Sequence, residues 1–138
     1  MSYTGRCACG QVTVAVAGEP VTTRQCWCRQ CRQIASGGPT HNAMFRTENV
    51  TITGEVKPHR YAAASGNEIL QWFCPSCGSH VFAQSSARPH FRTIRFGIFD
   101  EPHGLKPRMA IWTDDAPAWA VIDPTLERHP RQPPAPSP

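Results

Sequence analysis

The chain has 138 residues, 40% of them hydrophobic, which suits one domain with a single modest core and excludes a disordered chain. Its net charge of +4 is carried mostly by arginine, twelve against the two lysines Lys57 and Lys106, and no block of five or six basic residues occurs, so no nucleic-acid footprint is expected. No apolar run approaches the roughly 18 residues of a membrane span, and the start MSYTGRCACG lacks the apolar core of an export signal.

Residues 11–16 alternate with period two, so Val12, Val14 and Val16 are expected on one face of a strand that Gly18-Glu19-Pro20 ends. A second extended segment over 21–26 leads into a cysteine cluster. Residues 29–35 carry helix formers and stop at Ser36-Gly37-Gly38-Pro39, which predicts one short helix. Short strands follow at 43–47 and 49–53, with Gly54 as a turn. Residues 67–73 run extended into Cys74, and 79–84 leave the last cysteine pair as another strand. Over 91–99, Ile94, Phe96 and Ile98 fall on one face and Thr93 and Arg95 on the other. The last strand is expected at 108–113. Five of the ten residues from His129 to Pro138 are proline, so 129–138 is expected to be a disordered or extended tail behind a domain at 1–128. The whole reads as mostly β, with short strands and one short helix.

The seven cysteines are the most informative feature. An odd number leaves one over from any complete disulfide framework, and without an export signal a reducing, cytoplasmic setting is expected. They fall into three groups: Cys7-x-Cys9, Cys26-x-Cys28-x-x-Cys31 and Cys74-x-x-Cys77. A closed structural zinc takes four protein ligands, and a catalytic zinc takes three and keeps one position open. Four plus three uses every cysteine. Gly10 and Gly78 follow two of the groups and suit tight turns whose backbone amides point at sulfur. The closed site is therefore assigned to Cys7, Cys9, Cys74 and Cys77, stapling the N-terminus to the middle of the chain. Cys26, Cys28 and Cys31 are left as a trithiolate site running into the helix. Such a zinc favours a soft fourth ligand, so sulfur-containing substrates are expected. Two other arrangements stay open at this level: a fourth protein ligand for the triplet from His41 or His80, or a zinc ribbon of Cys28/Cys31 with Cys74/Cys77 that leaves Cys7, Cys9 and Cys26 spare. A thioredoxin-like use of CxxC lacks its βαβ setting.

The pattern Gly5-x-Cys7-x-Cys9-Gly10-x-Val12, then Cys26-x-Cys28-x-x-Cys31-Arg32, then Phe73-Cys74-Pro75-x-Cys77-Gly78, resembles the glutathione-dependent formaldehyde-activating enzyme family, to which centromere protein V belongs. Gly97-x-Phe99-Asp100 and Trp112 fit the family's C-terminal half, and the resemblance spans roughly residues 3 to 122. It implies a small β-tent fold of short antiparallel strands stapled by zinc. It also implies two zincs per chain, a structural one on Cys7, Cys9, Cys74 and Cys77 and a catalytic one on Cys26, Cys28 and Cys31. The implied chemistry is that of a carbon–sulfur lyase on small thiol adducts, such as S-hydroxymethylglutathione formed from glutathione and formaldehyde. Trp27 and Met109 stand where the family often has histidine, so the resemblance does not supply the proton-handling group.

His41, beyond the Gly-Gly-Pro loop, is the nearest histidine to the triplet in sequence, and Asp100 ends an alternating strand, where it caps a turn or meets substrate. Trp27 either walls a substrate pocket or packs under the metal loop. Arg24, Arg29 and Arg32 either offset a negative metal site, bind substrate carboxylates or remain solvated. The competing reading is a non-enzymatic two-zinc module that binds protein or nucleic acid.

Overall fold

The computed structural model describes residues 2–137. Its strands are β1 (Ser2–Arg6), β2 (Thr13–Ala17), β3 (Thr22–Cys26), β4 (Thr40–Arg46), β5 (Val50–Thr53), β6 (Lys57–Ala62), β7 (Glu68–Phe73), β8 (His80–Ser85), β9 (Phe91–Arg95), β10 (Met109–Ile111) and β11 (Glu127–Arg128). One α-helix, α1 (Arg29–Ile34), follows β3. The strands form a three-stranded sheet, β1-β2-β5, and an eight-stranded sheet in the order β11-β10-β3-β4-β9-β8-β7-β6. The mostly β class with one short helix is the class the alternation predicts.

Period-two alternation decides what each face of the large sheet meets. Ala43, Ile94, Phe82 and Trp72 stand side by side across β4, β9, β8 and β7. They pack with Tyr3, Val12, Val14, Val16 and Val50 from the small sheet and its approach, and this is the main core. The rings of Tyr3, Phe45 and Phe99 meet inside it at centroid separations of 5.7–6.1 Å. The opposite face of these strands and of β3 carries Arg24, Asn42, Thr93, Arg95, Ala83 and Gln71, and this polar face floors a cavity.

Three features differ from the sequence reading, and the course of the C-terminal segment adds to it. The pairings of β10 with β3 and with β11 are parallel, because long irregular segments before and after β10 bring the chain back in the same direction. The strand expected over 91–99 ends at Arg95, and Phe96–Ile98 is a 3-10 turn around Gly97. β1 and β6 lie in stretches that carry no clear alternation. The Pro-rich segment beginning at His129 runs beside β10. Its prolines offer no N–H, but its carbonyls still accept: Trp112, Thr113 and Asp114 N–H groups donate to Arg131, His129 and Pro130 oxygens at 3.2–3.4 Å. His129 N–H donates in turn to Ala110 O at 2.9 Å.

Gly5 marks the closest approach of the small sheet to the rest of the chain. It bridges Phe99, and a Cβ there would fall inside van der Waals distance of the Ile98 carbonyl, 2.8 Å from its carbon. Backbone cannot swing aside as a flexible side chain can. Gly5→Ala is expected to cost about 2–3 kcal/mol, measured as a lower denaturant midpoint with an unchanged slope.

Candidate functional site

The first cysteine group and the last fold into matching turns. Gly10 N–H donates to Cys7 O at 3.1 Å and Gly78 N–H donates to Cys74 O at 2.9 Å, with both glycines at positive φ, +80° and +75°. The turns bring four sulfurs together, all within 4.8 Å of one another. Cys9 Sγ lies 3.6 Å from Cys7 Sγ and 3.7 Å from Cys74 Sγ. A tetrahedral site with Zn–S bonds of about 2.3 Å separates its sulfurs by about 3.8 Å, so this donor set and spacing fit such an ion. Backbone amides do point at sulfur, as with Val12 N–H at 3.3 Å from Cys7 Sγ. The Ser79 hydroxyl, then the Ser79 and Cys9 amides, hydrogen bond to Cys77 and lower its thiol to about 5, the state a metal ligand needs.

The second cluster forms where β3 ends. Cys26 is the last residue of β3, Cys28 caps α1, and Cys31 lies in the helix. Cys31 N–H donates to Cys28 Sγ at 3.4 Å, and the three sulfurs lie within 4.8 Å of one another. Parallel pairing sets Ile111 of β10 beside Cys26, and Ile111, Trp112 and Met109 pack against the cluster. Hydrogen bonds from Cys26 and then Cys28, aided by the charge of Arg95, lower the Cys31 thiol to about 3. Cys28 gains from its bond to Cys26, but Cys31 and burial outweigh this and push it up to about 11. One sulfur of the three is thus poised as thiolate. No histidine or carboxylate joins either cluster among the described residues.

The triplet opens into a cavity of about 160 Å³ over the polar face of the large sheet. Arg24, Arg88 and Arg95 line it, and no acidic side chain does among the described residues. Arg95 is buried on the cavity floor. Its guanidinium donates to Asn42 Oδ1 on one flanking side and to Gln71 Oε1 on the other, both neutral acceptors. Asn42 Nδ2 then donates to Thr40 Oγ1 at 2.9 Å, and Gln71 Nε2 donates to the Tyr61 hydroxyl at 3.0 Å. Arginine has no acceptor, so it fixes the orientation of both amides. The Nε atoms of Arg24 and Arg95 are buried without a hydrogen-bond partner among the described residues. Trp112 closes one side in a left-handed conformation, φ +56°, and its Nε1 donates to Gln132 Oε1 at 2.9 Å.

The family model of the glutathione-dependent formaldehyde-activating enzyme matches residues 2–115, most of the chain. The chain belongs to this family. Among solved structures, a Rhodobacter sphaeroides protein is similar in fold, with a TM-score of 0.56 and 23% sequence identity over 76% of this chain and 92% of that one. No curated protein matches the chain.

Within this member of the formaldehyde-activating family, the four-plus-three grouping is the one the fold assembles, and the zinc-ribbon pairing is not. His41 lies on the sheet face away from the triplet: it stands opposite Gln25, and its ring packs against Phe96 at 6.0 Å. Burial lowers its pKa below the usual imidazole value. His80 pairs with Phe73 and stays out of the cavity wall. Trp27 is buried and stays out of the cavity wall, with Nε1 donating to Gln25 Oε1 at 2.9 Å. Asp100 accepts from Thr4 and Arg6, far from the triplet's wall. Of Arg24, Arg29 and Arg32, only Arg24 faces the cavity; Arg32 donates to Trp27 O at 3.0 Å, and Arg29 is exposed. Arg95, Asn42, Gln71 and Tyr61 were not singled out as site residues. The one sequence signal was Arg95, set opposite the apolar face of an alternating strand.

Proposed function

We propose that this protein is a zinc-dependent carbon–sulfur lyase acting on small thiol adducts, such as S-hydroxymethylglutathione formed from glutathione and formaldehyde. The observation that carries the reading is the contrast between the clusters. Four thiols complete one donor set, whereas the three-thiol set faces a cavity. In this reading Cys7, Cys9, Cys74 and Cys77 hold a structural zinc, and Cys26, Cys28 and Cys31 hold a catalytic one. Zinc bound at the triplet supplies a Lewis acid with a position free for sulfur or oxygen. The chain's own groups do the rest. Arg95 favours negative charge at Cys31, and its charge with those of Arg24 and Arg88 suits an anionic thiol such as glutathione. Gln71 and Asn42 orient the floor, and Trp112 with Gln132 forms part of the wall. All seven cysteines are free, which a reducing, cytoplasmic setting maintains.

The test follows adduct exchange by NMR in mixtures of formaldehyde with glutathione and other common thiols. Catalytic amounts of protein are expected to broaden or transfer magnetisation between free and adduct signals. Exchange rates unchanged across all thiols would sink the lyase reading.

A further inference from the structure

The departures at Trp27 and Met109 leave open which group handles the proton on the adduct's oxygen, and the hydrogen-bond directions on the cavity floor supply a candidate. Arg95 only donates, so Gln71 must turn Oε1 toward it and Nε2 toward Tyr61. Tyr61 therefore accepts in its one hydrogen bond among the described residues, and its own O–H is left unused by the fold. The ring sits on β6, half-buried, in the wall of the same cavity as Cys26, Cys28 and Cys31. The two amides beside it are committed: Asn42 to Arg95 and Thr40, Gln71 to Arg95 and Tyr61.

We propose that Tyr61 is a catalytic residue whose hydroxyl donates to the oxygen of the thiol–carbonyl adduct. This rests on the carbon–sulfur reading for its substrate. In the direction of adduct formation, the thiolate electron pair forms the S–C bond. The carbonyl π pair moves onto oxygen, and the Tyr61 O–H proton passes to that oxygen. The proton the thiol gave up to solvent restores the phenol. Reversal takes the same proton back as the S–C bond breaks. Burial raises the phenol's pKa above its usual value, outweighing the lowering by the Gln71 bond, so the group is a donor at neutral pH.

The chain has two tyrosines, which makes a selective probe available. Tyr3 lies in the core, where its hydroxyl donates to Glu19 Oε2 at 2.8 Å, and serves as an internal control. Protein labelled with 13C at the tyrosine Cζ is titrated with glutathione plus formaldehyde and, separately, with S-methylglutathione, which lacks the hydroxyl. The signal lost in Tyr61→Phe is expected to shift with the first and not the second, while the Tyr3 signal stays. Tyr61→Phe is expected to lower kcat for adduct exchange roughly 100-fold and leave KM for the thiol within about 2-fold, with folding and metal content retained. A Tyr61 signal unmoved by the adduct, or moved equally by both ligands, overturns the proposal, as does a fully active Tyr61→Phe. A Tyr61 signal that responds in a protein without exchange activity sinks the lyase reading instead and leaves the contact standing.

Discussion

Cys74→Ser is expected to leave the chain unfolded. Cys74 is fully buried, one of its neighbouring sulfurs belongs to Cys9 in the turn between β1 and β2, and its removal breaks a donor set that joins residues 7–9 to 74–77. Structural zinc sites contribute about 10–16 kcal/mol of apparent binding free energy, comparable with or above the roughly 5–15 kcal/mol total stability of a domain. One missing ligand is enough to cancel that margin. Circular dichroism and a thermal scan check this: the expected variant has no cooperative transition. A variant that melts within a few degrees of the wild type would show that this cluster does not staple the fold.

Cys28→Ser is expected to behave in the opposite way. Cys28 is half-buried, lines the cavity and packs at the margin of a small cluster around Cys26, Cys31, Ile111 and Trp112, apart from the main core. Serine keeps an acceptor for the helix cap that the sulfur now gives Cys31 N–H. Stability should fall by about 1–2 kcal/mol, while adduct exchange falls by roughly 10²–10³-fold or more, the scale of losing a principal stabiliser of charge in the transition state. Paired melting and NMR exchange measurements separate the two readings of the chain. A non-enzymatic two-zinc module would lose as much stability from Cys28→Ser as from Cys74→Ser.

The grouping of the cysteines was legible in their spacing and the two glycines, because such sets are local patterns that the fold then brings together. Val12, Val14 and Val16 gave the inner face of β2 for the same reason: alternation survives in one strand without knowledge of its partners. The cavity floor was not legible. Arg95 meets Asn42 and Gln71 from sequence separations of 53 and 24 residues, and nothing in 91–99 names them. Tyr61 lay hidden because β6 contains Pro58 and is exposed along most of its length. Proline argues against a central strand, and β6 is indeed an edge of the large sheet. β1 was missed because its second inward position is Gly5, which has no side chain to mark the period. His41 drew attention as the histidine nearest the triplet in sequence, but one-residue register with Gln25 turns it to the other face.

The most direct test of the account counts zinc on freshly purified chains by native mass spectrometry, with free thiols mapped by alkylation. The account predicts two zincs per chain, falling to one in Cys28→Ser. A single zinc that stays single after reloading, with Cys26, Cys28 and Cys31 all open to alkylation, would contradict it.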